Sequence, residues 1–110
     1  MKIRDMFPSK YLSKEDLTKS RVLTIESVVM EEVESEDGKV EKPVCYWKEK
    51  DSKPLILNRT NGEVLRERCG DDSEQWIGKQ IEVYVDLSIR FGNKKIGGIR
   101  VRLPSVSPRP

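Results

Sequence analysis

A mainly β chain with one helical interruption is the fold class that the sequence predicts, and three observations carry it. Residues 21–34, RVLTIESVVMEEVE, form a long β-rich stretch whose apolar pattern changes parity midway. Residues 80–90, QIEVYVDLSIR, alternate strictly between apolar and polar positions. Between these stretches, helix-starting and helix-stopping residues cluster from Thr60 to Gly78. At 110 residues the chain has the length of one domain, with enough core to fold without metal or disulfides.

The elements follow in order. The first 20 residues carry Phe7, Tyr11, Leu12 and Leu17 among five basic and three acidic side chains. Pro8 and Ser9 suit one short helical turn, and Ser13 with Asp16 has capping-box spacing for another. Segment 1–20 is therefore expected as a short helical arm, laid on the domain by Phe7, Tyr11 and Leu12.

In the first strand Leu23 and Ile25 share one parity and Val28 and Met30 the other. A period-2 strand keeps both pairs inward only by inserting a residue, so a β-bulge is predicted near Glu26–Ser27. Asp37-Gly38 then signals a hairpin. A second strand is expected at 43–50 and a third at 53–58, joined by a polar turn around Asp51–Ser52. Thr60 and Glu63 have capping-box spacing for a helix through Val64, Leu65 and Arg68, closed by Gly70. Asp71, Asp72, Ser73 and Glu74 start a second turn that carries Trp76 and Ile77 inward until Gly78. The fourth strand, 80–90, points Ile81, Val83, Val85, Leu87 and Ile89 inward. The last, 95–103, points Ile99, Val101 and Leu103 inward and is interrupted at Gly97-Gly98. The tail, 104–110, holds three prolines in seven residues and is expected to fray.

Five strands with one helical insert between the third and fourth is the order of the OB-fold, a partly open Greek-key barrel whose bent first strand pairs in both halves. The expectation is a five-stranded OB-fold-like barrel as one domain, 1–103, including the arm. The alternatives are an SH3-like barrel, which would lack the central helix, and an α+β sandwich.

Composition removes several function classes. The chain contains no histidine, which excludes imidazole chemistry. No apolar run approaches the ~20 residues of a membrane span, and no secretory signal is visible. Cys45 and Cys69 are far apart and lack metal spacing, which suits free buried thiols in a reducing cytoplasm. The net charge is only +2, from 21 basic and 19 acidic residues, yet the charges are segregated. Segment 21–42 has seven acidic against three basic residues, whereas 80–110 has six basic against two acidic.

The stretches FPSKYL (7–12), KPLILNRTN (53–61), GDDSEQWIGKQIEVY (70–84) and IRVRL (99–103) resemble a family of small proteins encoded by bacteriophages and prophages. That resemblance implies a phage or bacterial cytoplasmic origin and a role in DNA metabolism, because such genes commonly lie among replication and recombination genes. It carries over no functional residues.

Single-strand-binding barrels combine stacking aromatics with basic side chains that follow phosphates. In the second strand Trp47 shares a face with Cys45, so Trp47 is expected in the core and Tyr46 outward. Lys48, Lys53 and Arg59 lie near it. Arg90, Phe91, Lys94 and Lys95 surround one hairpin tip, and Arg100 follows on the last strand. Tyr46 and Phe91 are thus candidate base-stacking residues, and Lys48, Lys53, Arg59, Arg90, Lys94, Lys95 and Arg100 candidate phosphate contacts. A bland reading stands beside each: a tyrosine covering a barrel end, and an edge strand protected by charge. The acidic hairpin at 31–41 would repel phosphate or meet a basic protein. Asp71, Asp72 and Glu74 read as helix-start residues rather than metal ligands, and Asn58, Thr60 and Asn61 as a strand-to-helix junction.

The expected function is a non-enzymatic accessory protein of phage-type DNA replication or recombination, cytoplasmic in a bacterial host. It would bind single-stranded DNA with little sequence preference, need no cofactor or metal, and contact no membrane. Other phage replication or recombination proteins are candidate partners. The alternative is a protein–protein interaction module that binds no nucleic acid.

Overall fold

A computed structural model describes residues 10–35, 38–91, 94–95 and 97–104. Strands β1 (Arg21–Ser35), β2 (Gly38–Trp47) and β3 (Leu55–Ile56) precede helix α1 (Arg59–Cys69). Strands β4 (Gln80–Asp86), β5 (Arg90–Phe91), β6 (Lys94–Lys95) and β7 (Gly98–Arg102) follow it. Five of the strands form an antiparallel sheet in the order β3-β2-β1-β4-β7, and β5 and β6 form a separate hairpin. Strands β3 and β7 are the two edges of that sheet, so it is not closed into a barrel.

The bend in β1 falls where the parity change requires it. Ile25 pairs with Trp47 and Ser27 with Tyr46, so Glu26 is the extra residue. Upstream, residues 21–24 pair with β4; downstream, β1 pairs with β2 as far as Ser35 and Gly38. The bulge keeps Leu23 and Ile25 inward on one side of it and Val28 packed against the same core on the other. Met30, expected inward with Val28, is instead 59% exposed, because it borders an open groove beside Pro43 and Trp76. That core also gathers Cys45, Trp47, Leu55, Leu57, Leu65, Trp76, Ile81, Val83 and Val101. Both cysteines are free and buried, and burial pushes the Cys45 thiol up to about 12.

The cap of helix α1 lies two residues earlier than predicted. Asn58, rather than Thr60, accepts the Asn61 N–H through its side chain at 2.8 Å. Asn61 is itself buried, and its Nδ2 donates to the Ile99 carbonyl at 3.1 Å, fixing α1 to β7. Gly70 ends the helix at φ 126°, a conformation that favours glycine. Asp72 caps the following turn, Ser73–Trp76, by accepting from Glu74 N at 2.9 Å, so the helix-start reading of this acidic run holds.

Several expected strands have different bounds in the structure. Strand β3 spans only Leu55–Ile56, because Pro54 has no N–H to donate and Asn58 already caps α1. Strand β2 begins earlier and ends at Trp47, followed by a turn in which Ser52 N donates to Glu49 O. Strand β4 stops at Asp86, whose carboxylate accepts from Ser88 N and Ser88 Oγ and turns the chain. Leu87, expected inward, is consequently 76% exposed. Ile77 and Leu103 are likewise exposed, because each lies just beyond the end of its element. The last expected strand is divided into β6 and β7, with Gly97 between them at φ 71°.

The arm is partly seen. Lys14–Asp16 forms one 3-10 turn, with the Asp16 carboxylate accepting from the Ser13 N–H at 2.9 Å. Leu12 packs against the core, and its N–H donates to Pro54 O at 2.8 Å. Phe7, the turn at Pro8–Ser9, Asp37 of the first hairpin turn, and tail residues 105–110 lie outside the described residues. No helix among the described residues is long and apolar enough to cross a membrane.

Candidate nucleic-acid interface

Two tyrosine-bearing faces compete as the site. The first is the predicted face on β2. Trp47 is 2% exposed and donates its indole N–H to Lys53 O at 2.9 Å, whereas Tyr46 points the other way and is half-buried. The division between core and outward ring is as the alternation requires.

Tyr46, however, is not an open stacking ring. Its hydroxyl donates to the Glu31 carboxylate in a close contact, and Tyr11 OH donates to the same carboxylate at 2.9 Å. Lys10 Nζ lies 3.6 Å from Glu31 as well. The arm thus crosses the outward face of β1–β2, and Val44, on the same side of β2 as Tyr46, is fully buried. Accepting from Tyr46, and then from Tyr11, with Lys10 beside it, holds the Glu31 carboxyl below the usual glutamate range. The same carboxylate raises both phenols, that of Tyr46 and that of Tyr11.

The lysines of this region are also largely committed. Lys53 pairs with Asp16 of the arm at 3.3 Å, and Lys50 is in close contact with Glu26. Glu49 accepts from Thr24 N at 2.8 Å and Thr24 Oγ1 at 2.9 Å, tying the β2–β3 turn to the bend of β1. Lys48 and Arg59 have no carboxylate within ion-pair distance among the described residues. Lys48 follows β2, whereas Arg59 opens α1.

The predicted basic set is not assembled on one strand face. Arg100 lies on β7, separated in the sheet from β2 by β1 and β4. Arg90 pairs with Lys95 and Phe91 with Lys94 through the backbone of the β5–β6 hairpin. The side chains of those four residues lie outside the described part of the molecule.

The second face is on β4 and β7. Tyr84 pairs with Arg100, and Glu82 with Arg102, so these four side chains share one side of the sheet. The Arg102 guanidinium sits over the Tyr84 ring, 4.0 Å from its centroid. It also donates to Glu82 at 3.1 Å. Glu82, which alternation predicts to be solvated, is only 9% exposed, and Arg102 supplies the charge that makes this burial tolerable. Donation to Glu82 in turn raises the Arg102 pKa. Asp86, at the end of β4, is held below the usual range by the Ser88 hydroxyl and amide and, less strongly, by Arg100.

Tyr84 and Arg102 open onto a cleft of about 640 Å³ between this face and the arm. Lys14, Lys19, Leu17, Val85 and the exposed Leu87 also line it, with Glu15 as its acidic member. The β5–β6 hairpin connects the Asp86 end of β4 to the Gly98 end of β7, next to the Tyr84–Arg100 pair. An aromatic ring, two arginines and two lysines are therefore brought to one side, next to the most basic segment of the chain.

Tyr84, Arg102, Lys14 and Lys19 are absent from the predicted set. The first two carried a legible signal. Tyr84, Arg100 and Arg102 all have outward parity, and a tight β4–β7 pairing makes Tyr84 and Arg102 diagonal neighbours. Nothing local in the sequence places Lys14 and Lys19 opposite β4.

Fold and site together define a class: a small, mainly β protein with a five-stranded antiparallel sheet, one helix and a basic, aromatic cleft. No protein-family model, curated protein or solved structure matches the chain.

Proposed function

We propose that the chain is an OB-like, non-enzymatic protein that binds single-stranded DNA with little sequence preference, as an accessory of phage-type DNA replication or recombination. The single observation that carries this reading is the Tyr84 ring, covered by Arg102 and opening onto a cleft that also holds Lys14 and Lys19. A ring backed by a guanidinium is a platform for a base, and flanking ammonium groups suit a phosphate backbone. Glu82 does not oppose this, because Arg102 neutralises it.

The strand order supports the OB-like part of the proposal. A first strand shared by both halves, a helix between the third and fourth strands and the order β3-β2-β1-β4-β7 follow an OB barrel opened between its edge strands. The resemblance to small phage-encoded proteins points to the same setting, the cytoplasm of a bacterial host. On this reading the phosphate contacts are Arg100, Arg102, Lys14 and Lys19, joined by the hairpin residues Arg90, Lys94 and Lys95, with Phe91 a second stacking candidate. Tyr46 and Lys53 are held by the arm.

The test is fluorescence anisotropy of a labelled oligothymidylate at low and moderate salt. Affinity should fall steeply as salt rises, as counterion release requires. Binding that is absent at low salt, or indifferent to salt, overturns the proposal.

A further inference from the structure

On the inward side of the β1–β2 hairpin, Val28, Met30, Pro43, Leu57, Gly62 and Trp76 line an apolar groove of about 230 Å³. Met30, paired across the strand with Pro43, is 59% exposed and forms the open side of the groove. The volume lies below that of ordinary small-molecule sites and suits one large anchoring side chain.

What borders the groove says what such an anchor would carry. Two residues further along the same face, Glu32 lies directly opposite Glu41, a like-charge cross-strand pair that costs stability. Beyond it Glu34 faces Lys39. Lys39 also approaches Glu32 at 3.8 Å, but Glu41 and Glu34 have no ion-pair partner among the described residues. The opposite face of the same hairpin is arranged differently, with Glu31 across from Lys42. The repulsive pair therefore sits only on the side that carries the groove. The step of two strand residues, about 7 Å, sets the distance between apolar floor and carboxylates.

We propose that this groove and its glutamate pair form a docking site for a basic segment of a partner protein. The segment places one large apolar side chain over Met30, Pro43 and Trp76. A lysine or, better, an arginine beside the anchor bridges Glu32 and Glu41 and relieves their repulsion. This site lies apart from the Tyr84 cleft and does not depend on nucleic-acid binding.

Short random-sequence peptides displayed on phage, selected on the immobilised full chain, provide the probe. The most enriched peptide is then measured by fluorescence anisotropy against the wild type, Met30→Ser and the double variant Glu32→Lys/Glu41→Lys. Both sites are exposed, and thermal melts confirm that each variant folds. Enriched peptides should place Lys or Arg within about two positions of a large apolar residue, matching the strand spacing. Each variant should bind the peptide at least about tenfold more weakly, and rising salt should weaken the wild-type complex. Failure to enrich, enrichment of acidic peptides, or equal binding by all three proteins overturns the proposal. So does a dimer in sizing that Met30→Ser dissociates, because the groove would then be filled by a second copy.

Discussion

Tyr46 on β2 and Tyr84 on β4 are both outward tyrosines on strands of one sheet, yet their neighbours give them opposite roles. Tyr46 is engaged through its hydroxyl by a carboxylate, under an arm that brings a second phenol and an ammonium to the same point. Tyr84 is engaged through its ring by a guanidinium and borders an open cleft. The first arrangement uses the tyrosine to fasten one part of the chain to another; the second leaves a polarised aromatic surface in reach of a ligand. Outward parity alone does not separate the two. Which part of the tyrosine is engaged, hydroxyl or ring face, does.

The largest effect tests whether neighbouring residues of β2 have the opposite fates described. Trp47→Ala should cost about 3–5 kcal/mol of stability in urea unfolding, because it empties a core site and orphans the Lys53 carbonyl. Tyr46→Phe removes one hydrogen bond at a half-buried site and should cost no more than about 1 kcal/mol. Similar losses for the two would erase the distinction between core ring and fastening ring.

Binding sharpens the contrast between the faces. Tyr84→Ala should weaken oligothymidylate binding about tenfold, the loss of roughly one stacked base, while Tyr46→Ala changes it less than about twofold. The reverse order would move the site back to β2. Arg102→Ala should reduce both affinity and the salt dependence of binding. It should also lower the urea midpoint, since Glu82 would lose its cation in a nearly buried position, whereas Arg100→Ala should affect binding alone.

The smallest effect is the pH response of the arm. Glu31 and Asp16 both have carboxyls held below their usual ranges, Glu31 by Tyr46 foremost and Asp16 by the Ser13 amide. Lowered folded-state values mean that their contribution is complete above the usual carboxylate range and lost as pH falls through the lowered values. Protection of the Leu12 amide, bonded to Pro54 O, should therefore be unchanged near neutrality and decline in acid. Glu31→Gln should flatten much of that decline; an equally steep decline in the variant would remove Glu31 as the fastening point.

Local, periodic features were legible in the sequence. The bulge at Glu26 follows from two apolar pairs of opposite parity, and the division between Trp47 and Tyr46 from alternation. The cap residues around α1 were recognised as a junction, though Asn58 rather than Thr60 does the capping, because propensity alone does not choose between two polar residues so close in the chain. Features made by distant segments were not legible. Glu31 meets Tyr11 across 20 positions and Tyr46 across 15, and no periodicity encodes such a meeting. Glu82 is buried because Arg102 arrives from another strand, which reverses what its own alternation predicts. Leu87 is exposed because a single aspartate side chain ends β4 early.

The bulge in β1 also bears on how this strand tolerates insertions and deletions. Odd-numbered Leu23 and Ile25 face the core before Glu26 and even-numbered Val28 after it, so inside and outside are defined by a count as much as by chemistry. Removing one residue between Glu26 and Glu31 would exchange the two faces of the rest of β1, presenting Glu31 where Met30 now stands and parting it from Tyr11 and Tyr46. Changes of length in this hairpin preserve its two faces only when they come in pairs.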